Sequence, residues 1–350
     1  MAFSGVEIKK ILVRMPNWIG DVIMALPALE ALKSNFPSSS LSVLARPWVK
    51  DILETHPAVD LLLPYNSTGR GLSRLKGIVG TARVLRREKF DLAILFQNAF
   101  EAALLSAMGG IRYRVGYDTD GRGVLLTHKV RRKGGGPKGH HVEYYMEILK
   151  EIGLTVTKSD PKLYISRGQA ERARELLIRE GIPDDKLIVG IGPGAIYGEA
   201  KRWPAERFAE VADRAANTWG ASVIILGSEK EIGIGNTVLR SMKSNATNFC
   251  GRLSLRASVG VLSFCDYFVT NDSGLMHIAA ALGVPTIAIF GSTDPVATGP
   301  RSPKAIVIKH QIPCAPCFKR VCPTDFQCML SIKTDEVWKS LVRLREEVMK

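Results

Sequence analysis

The sequence predicts an α/β protein made of two doubly wound parallel-sheet domains facing a central cleft, on three observations. At 350 residues the chain exceeds the roughly 250–300 residues beyond which a single hydrophobic core stops growing. Short aliphatic runs alternate with helical patterns, the rhythm of a parallel sheet covered on both faces. That rhythm breaks near residue 165 and then restarts.

The elements follow in order. In the first domain, residues 1–165, ILVRM precedes a helix over 21–35, LSVLA a helix over 48–55, LLLP a helix over 72–87, and DLAILF a helix over 100–108. The glycine-rich basic stretch RRKGGGPKGHH, Arg131 to His141, reads as a loop and leads into a helix over 142–152. In the second domain, residues 166–333, a helix over 169–179 precedes LIVGI, and a helix over 204–218 precedes SVIIL. Another helix, the run ASVGVLSF, the strand YFVT, a helix over 274–282 and the strand PTIAIF complete it. The last segment, 334–350, carries Val337, Trp338, Leu341, Val342 and Leu344 on one helical stripe, expected to pack back on the first domain.

Composition narrows the function classes. With 46% hydrophobic and 23% charged residues and no apolar run near the roughly 18–20 residues of a spanning helix, the chain reads as an ordinary globular protein. No apolar signal segment opens the sequence, so a cytoplasmic location is expected. The net charge is +14, and residues 1–165 hold 24 basic against 15 acidic residues. Clusters such as Arg83, Arg86, Arg87, Lys89 and Arg131, Arg132, Lys133, Lys138 suit phosphate-rich partners: nucleic acid, an anionic leaflet or a phosphorylated glycolipid. A plain solvated basic surface explains them equally. Without interleaved aromatic residues, the charge does not read as an RNA-binding signature.

Four motifs carry chemistry, and three follow strands, where open α/β sheets bind ligands. In NWIGD, Asp21 either caps its helix or, facing the cleft with Asn17 and Trp18, takes a proton from a bound hydroxyl. GIGPGAIYGEAKRWP, Gly190 to Pro204, lacks the dinucleotide spacing. Its glycines admit close approach, and Lys201 and Arg202 stand where a diphosphate is neutralised, unless they are only surface charges. In TNDSGLMH, Asp272 or Ser273 caps a helix whose free N–H groups, at Ser273, Gly274 and Leu275, suit an anion; His277 is either a core histidine or a phosphate contact. In CAPCFKRVCPTDFQC, Cys314, Cys317, Cys322 and Cys328 are either zinc ligands or a reduced structural loop, while Cys250 and Cys265 read as core residues.

These motifs together resemble glycosyltransferase family 9 over almost the whole chain: NWIGDVIMALPAL, GPGAIYGEAKRWP, NDSGLMHIAAALGVPTIAIFGSTDP and PCAPCFKRVCP. The resemblance implies a GT-B architecture of two Rossmann-like domains, the first binding an acceptor and the second a nucleotide sugar. It implies Asp21 as catalytic base and Lys201 as the diphosphate lysine. Gly194, Arg202, Asp272, Ser273, Gly274 and His277 fall at the donor, Glu231 or Glu229 at its ribose, and Gly251 to Ser254 at its adenine. The implied reaction moves a heptose with inversion from ADP-heptose, a co-substrate, onto the first heptose of heptosyl-Kdo2-lipid A. An ADP leaving group asks for positive charge rather than a general acid, so no cofactor or metal is required. Asn17, Trp18, Arg112, Arg114, Lys133 and Lys138 are the expected acceptor or membrane contacts. A monomer resting on the anionic inner face of the membrane, without nucleic acid, is expected. The alternatives are another sugar transferase of the family, adding a first or third heptose or another sugar, and a non-catalytic binder of nucleic acid or anionic surfaces.

Overall fold

The computed structural model describes residues 3, 5–67, 71–131 and 139–349, in two compact units, Met1–Pro161 and Lys162–Lys350. Each unit carries one six-stranded sheet, parallel throughout, with helices between its strands.

In the first unit the strands are β1 (Lys10–Arg14), β2 (Ser40–Ala45), β3 (Leu61–Pro64), β4 (Leu92–Leu95), β5 (Tyr113–Tyr117) and β6 (His128–Val130), in the order β3-β2-β1-β4-β5-β6. Its helices are α1 (Ile19–Asn35), α2 (Lys50–Leu53), α3 (Leu72–Glu88), α4 (Phe100–Met108) and α5 (His141–Glu151). Leu12, Leu44, Ala93 and Leu95 from the sheet pack on Ile78, Ala82 and Leu85 of α3 and on Ala103 and Leu105 of α4.

The second unit repeats the plan with β7 (Ile188–Gly192), β8 (Ser222–Ile225), β9 (Ala246–Asn248), β10 (Tyr267–Asn271), β11 (Thr286–Ile289) and β12 (Ala305–Ile308), ordered β12-β11-β10-β7-β8-β9. Its helices are α6 (Arg167–Arg179), α7 (Ala205–Trp219), α8 (Ile232–Ser241), α9 (Leu255–Leu262), α10 (Gly274–Ala281), α11 (Pro295–Thr298), α12 (Gln327–Leu330) and α13 (Thr334–Val348). Both sheets reverse direction of winding beside their first strand, β1 and β7, which creates the crevice where such folds hold ligands.

One device recurs at the opposite, amino ends of the strands. Asp91, just before β4, accepts the backbone N–H groups of Lys9 and Lys10 at 2.8 and 2.9 Å. Asp60, just before β3, accepts that of Leu41 at 2.7 Å, and Asp266, just before β10, accepts that of Ile188 at 2.7 Å. Carboxylates thus satisfy the otherwise orphaned donors where strands begin, and the carboxyl ends are left for ligands.

The last helix is part of the second core. Val337, Leu341 and Leu344 of α13 join the core of the second unit with Phe208 and Val211 of α7 and Ile308 of β12, and Trp338 lies 4.8 Å from Trp219. An apolar stripe fixes which face of a helix is buried but does not name the surface that buries it. The helix belongs to the second unit. Among the described residues no helix is long and apolar enough to cross a membrane.

Candidate functional site

Each unit holds a polar constellation at the carboxyl ends of its strands. In the first unit, α1 opens at Ile19 behind Trp18, which takes an extended N-cap conformation without a side-chain bond. Asp21 lies within the first turn rather than at the cap, and it does not serve the capping role. Its carboxylate faces His141 Nδ1 at 3.5 Å and the Tyr145 hydroxyl at 3.4 Å, both from α5. Burial, and then the negative charge of Asp21, raise the Tyr145 phenol well above its ordinary range, so it stays neutral and able to donate.

Asp21, Asn17, Trp18 and Pro16 line a cavity of about 320 Å³. Its other wall is Gln97 and Asn98, after β4, with His141, Tyr144 and Tyr145 from α5. Buried arginines hold these polar residues in place. Arg14, 1% exposed, donates to Asn17 Oδ1 at 3.1 Å, and Trp48 Nε1 donates to the Asn17 carbonyl at 2.9 Å. Arg122, also buried, donates to Asn98 Oδ1 at 3.0 Å and to the Gln97 carbonyl, and Asn98 Nδ2 donates to the Tyr144 hydroxyl at 2.6 Å. Burial lowers both guanidinium groups to about 10, which leaves each charged at neutral pH.

The second constellation depends on one amide. Asn271, the last residue of β10, donates from Nδ2 to the Pro193 carbonyl at 2.8 Å and accepts the Trp203 N–H at 3.0 Å. Both ends of the 193–203 loop are thereby tied to one strand end, and Trp203, fully buried, donates from Nε1 to the Ile332 carbonyl at 3.0 Å. This brings Lys201 to Asp272, with Nζ to Oδ2 at 2.5 Å, while the Thr293 hydroxyl donates to the same oxygen at 2.6 Å. The Tyr197 ring lies 4.8 Å from Lys201 Nζ and 5.3 Å from the Arg320 guanidinium.

Ser273 caps α10 through Met276 N–H at 3.3 Å, so the N–H groups of Gly274 and Leu275 at the helix start point away from its ladder. A positive helix end and an ammonium make an anion-binding arrangement. His277 is buried within α10. Of the two glutamates after β8, Glu231 is buried and Glu229 exposed. Glu231 Oε2 accepts the Ser228 N–H and hydroxyl at 2.7 and 2.8 Å, while Oε1 lies so near Gly194 that a Cβ there would stand 2.0 Å from it. Gly251 and Arg252 line a separate cavity of about 530 Å³ with Ile232, Asn236 and Asn248.

Other expected residues fall elsewhere. Arg112 and Arg114 stand at the amino end of β5, the opposite end of the sheet from Asp21. Arg112 is exposed beside the Tyr113 ring at 5.1 Å, and Arg114 donates to the carbonyls of Leu125 and Ile111 at 2.6 and 2.5 Å. Neither lines the cavity beside Asp21. Arg132, Lys133 and Lys138 lie outside the described residues. Arg202 is half-buried, and its guanidinium donates over a long 3.5 Å to the Ala195 carbonyl of its own loop.

The four clustered cysteines are free thiols, Cys328 buried and Cys314 exposed. Burial, and then the nearness of the other three, raise the Cys328 thiol. Among the described residues no group of three or more His, Cys, Asp or Glu side chains is assembled to hold a metal ion. Cys250 and Cys265 are core residues as expected, with burial pushing the Cys250 thiol up to about 12.

Sequence reasoning missed His141, Tyr144, Tyr145, Gln97, Asn98 and Asn271. The signal for Asn271 was its place at the end of a strand inside TNDSG. For the three α5 residues no local signal existed, because their role comes from a helix packed on α1 across more than a hundred residues of sequence.

The profile of glycosyltransferase family 9 (heptosyltransferase) matches residues 78–327. Lipopolysaccharide heptosyltransferase 2 of Salmonella typhimurium is 32% identical over 313 residues, 86% of this chain and 88% of that protein. Its counterpart of the same name in Escherichia coli is 31% identical, with the same shares of each chain covered. The solved structure of E. coli ADP-heptose lps heptosyltransferase II superposes with a TM-score of 0.83 at 28% identity, over 97% of this chain and all of that one. A glycosyl transferase family 9 structure from Veillonella parvula gives a TM-score of 0.88 at 24% identity over 99% of each chain.

Proposed function

The chain belongs to glycosyltransferase family 9, and from that premise we propose that it is a heptosyltransferase of the second type in lipopolysaccharide inner-core synthesis. It moves L-glycero-D-manno-heptose from ADP-heptose onto the first heptose of heptosyl-Kdo2-lipid A, with inversion. The observation that carries the reading is Asp21: a carboxylate in the first turn of a helix, not engaged in capping, opening onto a polar cavity.

In this reading Asp21 takes the proton of the acceptor hydroxyl as that oxygen attacks the anomeric carbon from the face opposite ADP. His141, 3.5 Å away, and the neutral Tyr145 hydroxyl orient the carboxylate. Trp18, 55% exposed at the rim, offers a flat apolar face to a sugar ring, and Asn17 and Asn98 offer hydrogen bonds. The diphosphate sits against Lys201 and the N–H groups of Gly274 and Leu275, which stabilise the charge of departing ADP without a metal ion. Glu231, whose carboxylate packs into the space left by the missing Cβ of Gly194, accepts from the ribose, and the cavity beside Gly251 and Arg252 takes the adenine. The protein acts as a monomer at the anionic inner face of the membrane, a placement supported by the basic balance of its first unit.

Mass spectrometry of heptosyl-Kdo2-lipid A after incubation with ADP-heptose and the protein tests this. One added heptose, lost in Asp21→Ala, supports donor, acceptor and base together; no added mass from the wild type removes the proposal.

A further inference from the structure

We propose that the outward stripe of α3 is the surface by which the protein docks on an anionic lipid bilayer. The inference rests on the reading that the acceptor is a membrane glycolipid, and it names the element that brings the acceptor cavity to that membrane.

Helix α3 buries Ile78, Ala82 and Leu85 against the sheet. At 100° per residue, the opposite side is formed by Lys76, Gly80, Arg83, Val84 and Arg87, all exposed. Lys76, Arg83 and Arg87 thus project along one line over roughly 16 Å of helix, with exposed Arg86 beside them. Gly80 between the cations leaves no side chain to hold a flat surface away.

The charge on this face is uncompensated. Residues 71–117 contain eight basic and three acidic residues, and each acid is already engaged. Glu88 pairs with Lys10 at 3.1 Å, Asp91 accepts the N–H groups at the start of β1, and Glu101 takes Arg74 at 2.6 Å and the Tyr65 hydroxyl at 2.5 Å. Among the described residues Lys76, Arg83, Arg86 and Arg87 have no ion-pair partner. A helix with three aligned free cations and no acid on its outer face complements a negatively charged plane rather than a point ligand. The missing aromatic residues on this stripe disfavour single-stranded nucleic acid, which is held by stacking as well as charge.

The helix is also coupled to the cavity. Arg74 in its first turn holds Glu101, which accepts from Tyr65; Arg46 lies over both the Tyr65 ring at 4.5 Å and the Trp48 ring at 5.6 Å, and Trp48 donates to Asn17 at the cavity rim. These contacts join the amino end of α3 to the cavity rim at Asn17.

Flotation with vesicles of phosphatidylethanolamine and phosphatidylglycerol, against vesicles of phosphatidylcholine, tests the proposal without any sugar substrate. The wild type is expected to float with the anionic vesicles alone and to be released by salt. The Lys76→Gln, Arg83→Gln, Arg87→Gln triple variant is expected to bind on the order of 100-fold more weakly, from roughly fivefold for each cation removed at the surface. ADP-dependent thermal stabilisation should be equal in both proteins, which checks that the variant is folded. Equal binding of wild type and variant, equal binding to neutral vesicles, or retention on RNA with none on vesicles would each overturn it. Failure of heptose transfer would leave the vesicle result standing, so the two readings fail separately.

Discussion

Lys201 Nζ and Asp272 Oδ2 stand 2.5 Å apart with only 12% and 5% of their side chains exposed. The cation assigned to the diphosphate is therefore paired within the protein, and Thr293 shares its carboxylate partner. A single carboxylate balances one charge, so Lys201 meets an incoming diphosphate pre-oriented, with the Asp272 oxygen already turned to it. The same pairing gives Lys201 a structural role beside the proposed contact with the diphosphate.

Lys201→Ala should then have two effects. It should abolish ADP-dependent thermal stabilisation, and it should destabilise the free protein by about 3–5 kcal/mol, because Asp272 is left buried and unpaired. Thermal melts with and without ADP check both. Asp272→Asn placed on top of Lys201→Ala should recover much of the melting temperature but none of the nucleotide effect; a double variant no more stable than the single would deny the ion-pair account.

Asp21→Asn should fold and bind ADP as the wild type does and lose about 10²- to 10⁴-fold in turnover, the usual worth of a positioned base. Single-turnover rates with saturating donor measure it. Turnover within a few-fold of wild type would take Asp21 out of the proton transfer.

Gly198→Ala should damage the donor half-site although it touches no ligand. A Cβ at this position would lie 2.3 Å from the Arg320 carbonyl oxygen and 2.7 Å from its Cα, and backbone cannot turn aside as a side-chain tip can. About 1–3 kcal/mol of destabilisation is expected from such overpacking, with weaker ADP binding by calorimetry as the Ala200 N–H to Arg320 carbonyl bond, 3.0 Å, is lost. Unchanged affinity would mean that the cysteine-bearing loop does not position Lys201.

His56 supplies a pH dependence. Burial lowers its imidazole from 6.5 to about 4. The unfolded chain takes up this proton as pH falls below 6.5 and the folded protein does not until about 4. Stability from the neutral ring is thus complete above pH 6.5 and declines toward pH 4, by on the order of 3 kcal/mol. Urea melts at pH 7.5, 5.5 and 4.5 read it, and the slope should flatten in His56→Gln. An identical slope in that variant would assign the acid loss to other groups.

Much of the architecture was legible because buried parallel strands such as LIVGI and DLAILF are apolar on both faces, and their shortness and β-branched residues separate them from the longer, amphipathic helices. The edge strands β6 and β9 escaped notice: three residues each, HKV and ATN, they carry no such run. Asp21, Lys201 and Asp272 were legible since each follows a strand end, where topology places ligands whatever the details. That Arg112 stands at the amino end of β5 was not legible, because charge alone does not say at which end of a strand a residue falls. His141 and Tyr145 depend on how α5 lies on α1, a long-range packing that no local pattern encodes.

The two bonds made by Asn271, to the Pro193 carbonyl and the Trp203 N–H, set a rule for redesign. One short amide spans both feet of the loop, so its contour is fixed at the number of residues between them. Side chains within that span other than Gly194, Gly198 and Lys201 are open to exchange, as libraries that seek a different sugar nucleotide would require. Insertions or deletions are not, since one foot would leave the strand and carry Lys201 out of register with Asp272. Donor preference in this scaffold should therefore be diversified by substitution at constant loop length, and length variation directed to segments anchored at one end only.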